Sequence, residues 1–272
     1  MQAASRESLA VAKERLDGIV DGLSARVLGT FSDELFAVFG VLAGERLLRR
    51  HLSDPGTAAP ARQRLATTVF TGKISKRTLD TVLALVGSRW SESGDLVEAL
   101  ELLARQTILT LAEQDGSLED VEDELFRFGR ILDAQPRLRE LLEDESTSVD
   151  QRLGLLDGLV ANKVRPVTSA LLRQVVRVPR GRSLDVVVGR LAELAADRRN
   201  RSVAHVKAAT ALSAEQEQRL AAALSNIFGR AVSVQVELDP ELLGGLVIRV
   251  GDEVIDGSVA ARLAKARQEL PR

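Results

Sequence analysis

The sequence predicts a mainly α-helical chain with a C-terminal α+β domain: two tandem helical bundles followed by a small β-α-β-β-β-α domain. Three observations carry this. Ala, Leu, Val and Arg dominate the 272 residues, a composition that favours helix on propensity. Through roughly the first 200 residues, apolar positions recur every three or four residues, the period of an amphipathic helix. Beyond them the period drops to two, as in half-buried strands. The length allows two or three domains at about 100–200 residues each. A hydrophobic content of 45% is enough to build cores.

Leu9, Leu16, Ile19, Val20, Leu23 and Val27 form one stripe and predict a first helix running through all of them. Thr30 and Ser32 are suited to cap the next, which would turn Phe31, Leu35, Val38, Phe39 and Leu42 inward. Asp54–Pro60 is a loop, because Pro and Gly cluster there. Helices are expected over about 60–70, 75–87 and 92–114, broken at Gly72, at Gly87-Ser88 and at Ser91–Gly94.

The chain then repeats itself. Shifted by 90 residues, Asp33-Glu34-Leu35-Phe36 falls on Asp123-Glu124-Leu125-Phe126, and Arg62, Lys73 and Asp95 fall on Arg152, Lys163 and Asp185. Residues 33–97 match 123–187 without a gap at 18 of 65 positions, more than biased composition explains. A fixed period of this kind is the mark of duplication. It divides the chain into an extra helical bundle, 1–105, a second bundle, 106–200, and an α+β domain, 201–272.

In the last segment, Val203–Ala209 alternates, with Ala204, Val206 and Ala208 on one face. Ser213 and Gln216 make a capping box for the helix that follows, and Gly229 stops it. Val232, Val234, Val236 and Leu238 alternate as a second strand. Leu246–Val250 and Glu253–Ile255 flank Gly251-Asp252 as a hairpin. Ser258 is placed to cap a last helix with Val259, Leu263, Ala266 and Leu270 on one face.

Little here suits catalysis. Without cysteine there is no disulfide, thiolate or Cys-ligated metal. His51 suits a helix C-terminus, and His205 sits on the charged face of a strand. A net charge of −2 argues against a nucleic-acid binder. Thr71-Gly72-Lys73-Ile74 resembles a phosphate loop only in its Gly-Lys pair: Thr67 replaces the leading Gly, and Ile74 the magnesium-binding hydroxyl. Asp252, Glu253 and Asp256 lack the spacing of a calcium loop. No catalytic, cofactor-binding or metal residues are expected. Trp90 reads as a core anchor or an interface hot spot, with the core preferred. The longest apolar run, Phe36–Gly44, is too short to span a membrane. The charged start is unlike a signal peptide, so a soluble, intracellular protein is expected. Glu113–Asp150 carries 13 acids against 4 bases, and Arg173–Arg201 carries 8 bases against 3 acids. These are solvated helix faces or docking surfaces of opposite sign.

Specific residues appear near the end. Thr210-Ala211-Leu212-Ser213 precedes a helix. Asp239, Pro240, Gly244 and Gly245 then lead into a strand, and Gly251, Asp256, Gly257 and Ser258 close the hairpin. In this order and spacing they resemble the delta subunit family of the F-type ATP synthase, which includes the oligomycin sensitivity-conferring protein. Gly116–Leu125 and Pro136–Leu142 resemble the family's helical bundle, so the likeness covers about 100–272. The first hundred residues are the degenerate copy, as in long, Arg-rich actinobacterial members. The resemblance implies a non-catalytic stator subunit of the peripheral stalk, supporting ATP synthesis and hydrogen ion transport. It implies no cofactor. It implies that the helical part holds N-terminal segments of the alpha subunits and that the last domain holds the C-terminal end of the b subunit. The protein would then be peripheral, on the cytoplasmic face of the bacterial cell membrane. The alternatives are a free-standing helical adaptor, which leaves the C-terminal elements unexplained, and an enzyme.

Overall fold

A computed structural model describes residues 1–201, 203–228, 232–239, 242, 244–250, 253–259 and 261. The chain divides into two compact units, Met1–Leu194 and Ala195–Arg272. The first holds α1 (Ala3–Val20), α2 (Ala25–Gly44), α3 (Arg46–Ser53), α4 (Ala59–Phe70), α5 (Lys76–Gly87), α6 (Ser93–Gln114), α7 (Leu118–Ala134), α8 (Pro136–Glu143), α9 (Val149–Val160) and α10 (Pro166–Arg177). Helix α11 (Leu184–Arg201) starts in the first unit and runs into the second.

The duplication is visible in helix boundaries. Helices α8, α9 and α10 start and end 90 residues after α3, α4 and α5. Helix α6 starts 90 residues after α1, and α11 starts one residue beyond the matching position after α6. Helix α6 is therefore the last helix of one repeat and the first of the next. It packs on α1, α2, α3, α5, α7 and α10. Residues 105 and 106 both lie inside it.

Side-chain bonds repeat as well. Glu34 accepts from Ser75 N at 2.9 Å and from the Thr78 hydroxyl, and Glu124 accepts from Arg165 N at 2.8 Å and Thr168 Oγ1 at 2.6 Å. Each carboxylate sits at a helix N-terminus, where the macrodipole favours it. Burial pushes the Glu34 carboxyl up, but the bonds from Ser75 and Thr78 prevail and hold it below its usual range. Asp54 accepts from Gly56 N and Thr57 Oγ1 at 3.0 and 2.8 Å. Asp144 does the same with Ser146 N and Thr147 Oγ1, both at 2.9 Å. The left-handed turn residue Gly72 (φ 78°) recurs as Asn162 (φ 58°).

Arg62 is the strongest of these staples. Although 4% exposed, it donates to Val86 O and Asp54 O at 2.9 Å and to Thr57 O at 2.8 Å. It also donates to Gly87 O at 3.1 Å and Ser88 O at 2.9 Å. It thus closes the end of α5 onto the α3–α4 loop. Arg152 makes the matching bond, to Val176 O at 3.1 Å.

Two local expectations need correction. The first apolar stripe breaks at Asp21–Ser24, because Gly22 (φ 70°) takes the left-handed conformation that ends a helix. Leu23 lies in that turn and Val27 in α2. Thr30 and Ser32 cap nothing: both lie inside α2, where Thr30 Oγ1 donates to Arg26 O and Ser32 Oγ to Ala104 O. By length and composition, with a mean hydropathy of 1.5, α2 is also apolar enough to cross a membrane. Its Leu28, Phe31, Leu35, Phe39 and Leu42 are buried, as in a core helix. Trp90 is buried, and its Nε1 donates to Leu85 O at 2.7 Å.

The second unit contains β1 (Val203–Ala208), α12 (Ala214–Phe228), β2 (Ser233–Leu238), β3 (Leu246–Val250) and β4 (Glu253–Asp256). The sheet order is β2-β1-β3-β4. Strand β1 runs parallel to β2 and antiparallel to β3, and β3 is antiparallel to β4. Ala204, Val206, Leu224, Val232, Ile248 and Val250 form the core. The capping box is present: Ser213 N donates to Gln216 Oε1, and Gln216 N to Ser213 Oγ. The expected helix stop at Gly229, the Gly251-Asp252 turn and the last helix beyond Ala261 lie outside the described residues.

Replacing Arg62 with Ala strands several buried carbonyls. Chemical denaturation is expected to show a loss of about 2–4 kcal/mol. Arg62→Lys should recover only part of it, since an ammonium cannot reproduce the planar fork. Unchanged stability in Arg62→Ala would show that the staple is dispensable.

Candidate functional site

In the second unit the glycine-rich segments meet at one corner. Gly244 and Gly245 precede β3, and Gly257 and Ser258 follow β4, which pairs with β3. Gly257 N donates to Leu246 O, and Val259 N to Gly244 O, both at 2.9 Å. Gly245 has φ 84°, and a Cβ there would lie 2.4 Å from Gly257 O and 2.9 Å from Ser258 Cα. No rotamer change relieves a clash with backbone, so only glycine fits. Asp256 Oδ1 accepts from Ser258 N at 2.9 Å, and Ser258 Oγ accepts from Ala261 N at 3.1 Å. Hydrogen bonds from the Ser258 side chain and then its backbone hold the Asp256 carboxyl below its usual range.

Asp239 follows β2 at the same end of the sheet, where Leu238 and Leu246 both pair with Ala208. Its backbone N donates to Ala208 O at 2.9 Å, and its carboxylate faces Lys207 Nζ at 3.4 Å. Pro240 and Gly251 lie outside the described residues. The motif residues that are described therefore serve backbone and local side-chain bonds, and none presents an acid–base pair or a nucleophile to a cleft. Among the described residues no group of His, Asp and Glu could hold a metal ion. His205 is exposed on β1, and Gly72 is a turn residue beside exposed Lys73.

In the first unit the repeat exposes a surface difference. In the second repeat, α2 lies along α6. Asp33, Phe36 and Gly40 of α2 line one cavity of about 480 Å³ with Gln174, Arg177 and Val178. One repeat earlier those last three positions are Ala84, Gly87 and Ser88. They line an open groove of about 250 Å³ with Val11, Arg15 and Ile19 of α1. Val11 is 59% exposed. Sequence reasoning could not find this groove, because it depends on which repeat has a neighbour.

A family model described as ATP synthase delta (OSCP) subunit matches residues 104–270. The chain belongs to the ATP synthase delta (OSCP) subunit family. ATP synthase subunit delta of Streptomyces griseus is 44% identical over 99% of both chains. The ATP synthase subunit b-delta of a Mycobacterium species (strain KMS) is 46% identical over all of this chain, which spans 61% of that protein. A chain in the mitochondrial ATP synthase hexamer of Toxoplasma gondii is 25% identical, covering 62% of this chain and 96% of that one, at a TM-score of 0.30. A score that low carries no argument about the fold.

Family membership makes this protein a non-catalytic subunit of the F-type ATP synthase, in its stator, and so associated with a membrane-bound complex. The family model begins inside α6, so it takes in the second repeat and leaves α1–α5 outside the match.

Gly245→Val should destabilise the second unit by about 3 kcal/mol, from a left-handed backbone and a backbone clash together. Partner binding should weaken only as far as folding does. Thermal melts of the purified chain provide the check. Unchanged melting with lost binding would make the glycine pair a contact site.

Proposed function

We propose that this subunit links the catalytic head to the b-subunit stalk, so that rotor torque drives ATP formation instead of turning the head. Under this reading the helical part, 1–105 with 106–200, binds N-terminal segments of the alpha subunits, and 201–272 binds the C-terminal end of the b subunit. The protein lies on the cytoplasmic face of the bacterial cell membrane as a peripheral component. The family motif residues Asp239, Pro240, Gly244, Gly245, Gly251, Asp256, Gly257 and Ser258 act structurally, shaping the domain that meets the stalk.

The observation that carries the head contact is the open α1–α5 groove. In the second repeat the equivalent positions at the end of α10 line a shared cavity with α2, an apolar helix rich in Leu, Phe, Gly and Ala. A face that takes such a helix internally can take another from outside, by the helix-in-groove mode. For the stalk contact, Val254 and Ile255 are exposed on edge strand β4. Exposed apolar residues on a sheet edge suit a partner. The mycobacterial relative's name, b-delta, joins the two subunits in one chain, which supports b as a neighbour.

The test uses membranes carrying the intact complex and membranes in which residues 201–272 are deleted. Loss of the last domain should leave ATP hydrolysis largely intact while ATP-driven proton pumping collapses, because an untethered head turns with the rotor. Full coupling after the deletion would overturn the division of labour.

A further inference from the structure

Three arginines converge on one carboxylate in the helical unit. Glu101 of α6 accepts from Arg105 and Arg182 on Oε1, both at 2.5 Å, and from Arg180 on Oε2 at 2.8 Å. The Glu101 side chain is 5% exposed and that of Arg105 11%. Burial lowers the Arg105 pKa to about 10; Glu101 opposes the shift, and the neighbouring Arg182 and Arg180 add to it. Three guanidiniums thus bond one carboxylate; two acids beside the Arg182 segment are engaged elsewhere, Glu143 on Leu184 N and Asp185 on Ser183 Oγ. Arg182 Nε is buried without a hydrogen-bond partner.

The fold does not require this cluster. At the same positions one repeat earlier stand Val11, Arg15, Trp90 and Glu92, where a buried tryptophan holds the corresponding loop. Arg180 sits in a left-handed conformation (φ 57°), followed by left-handed Gly181 (φ 64°). A non-glycine residue held there costs about 1–3 kcal/mol and persists where surrounding interactions over-determine it. Arg180 and Arg182 also remain 20% and 25% exposed, so solutes can reach the cluster.

We infer that Arg105, Arg180 and Arg182 form a binding site for a phosphate-type oxyanion, with Glu101 as the resident half of its charge balance. Three guanidiniums less one carboxylate leave two positive charges. The hydrogen phosphate dianion, well populated near neutral pH, carries two negative ones, while a single carboxylate carries one. Planar guanidinium forks match phosphate oxygens in geometry, and Arg182 Nε is a buried donor still without a partner. The site lies on the α6 and α10–α11 segments and shares no residue with the α1–α5 groove, so its test is independent of head binding.

The probe is inorganic phosphate, titrated into the full-length chain at constant pH and constant ionic strength set with chloride, with melting temperature and calorimetric binding as readouts. The expected result is saturable binding, and a rise in Tm of about 2–5 °C at phosphate tenfold above its Kd. Arg180→Gln and Arg182→Gln, on the exposed side of the cluster, should each weaken binding at least tenfold. Glu101→Gln should melt lower in chloride and gain a larger rise from phosphate, because the cluster loses the carboxylate that bonds all three arginines. A rise no larger than chloride gives would mean screening alone and overturn the proposal. An equal effect from acetate would mark a carboxylate site and overturn the phosphate assignment. Phosphate effects that persist unchanged in both arginine variants would place the ion elsewhere.

Discussion

Helix α6 has two sets of neighbours to satisfy, and the helical unit depends on that constraint. A helix on the rim of a bundle buries one stripe, but α6 buries 15 of its 22 residues, as a helix enclosed on most sides must. It does so while carrying polar side chains, because these bond locally: Thr107 Oγ1 donates to Leu103 O and Thr110 Oγ1 to Gln106 O. A 90-residue period laid over six-helix bundles makes the sharing necessary. The helix that closes one repeat is the one that opens the next, so eleven helices serve where two separate bundles would need twelve. The result is one compact body through residue 194.

The two repeats diverge where their surroundings differ. Phe36 and Phe126 occupy the same position, yet Phe36 is 4% exposed and Phe126 59%. Phe36 shares a cavity with the end of α10, and within the helical unit no third repeat exists to give Phe126 the same cover. The α1–α5 groove is the other end of this asymmetry: there Ala84, Gly87 and Ser88 face α1, where Gln174, Arg177 and Val178 face α2. The glycine corner of the second unit obeys a different rule. There the backbone segments approach so closely that side chains are excluded, and the family motif records that exclusion.

Much of this was legible in the residues. The register found the duplication, and several polar identities within it are the side chains that make the repeated bonds: Glu34 with Glu124, Thr78 with Thr168, Asp54 with Asp144, and Arg62 with Arg152. Apolar alternation placed β1 and β2, the Gly251-Asp252 turn signal placed β3 and β4, and the Ser213–Gln216 spacing placed the start of α12. The break between α1 and α2 was not legible, because the apolar stripe continues across a four-residue turn and only the backbone angle of Gly22 separates the helices. Nor was the sharing of α6, since periodicity reports that a helix is buried and not how many neighbours bury it. The arginine cluster was hidden for a similar reason: Glu101 and Arg182 are far apart in the chain and have no counterpart in the first repeat.

The central claim is that α1 through the first half of α11 form one cooperative body joined through α6, and native-state hydrogen exchange tests it most directly. In a Leu35→Ala variant, which opens a cavity on α2 in the first repeat, the slowest amides of α4 and α5 and those of α9 and α10 would be followed together in mild denaturant. If the repeats share one unfolding unit, both sets lose protection by the same amount. Loss confined to α4 and α5, with α9 and α10 unchanged, would show two independent bundles and contradict the account.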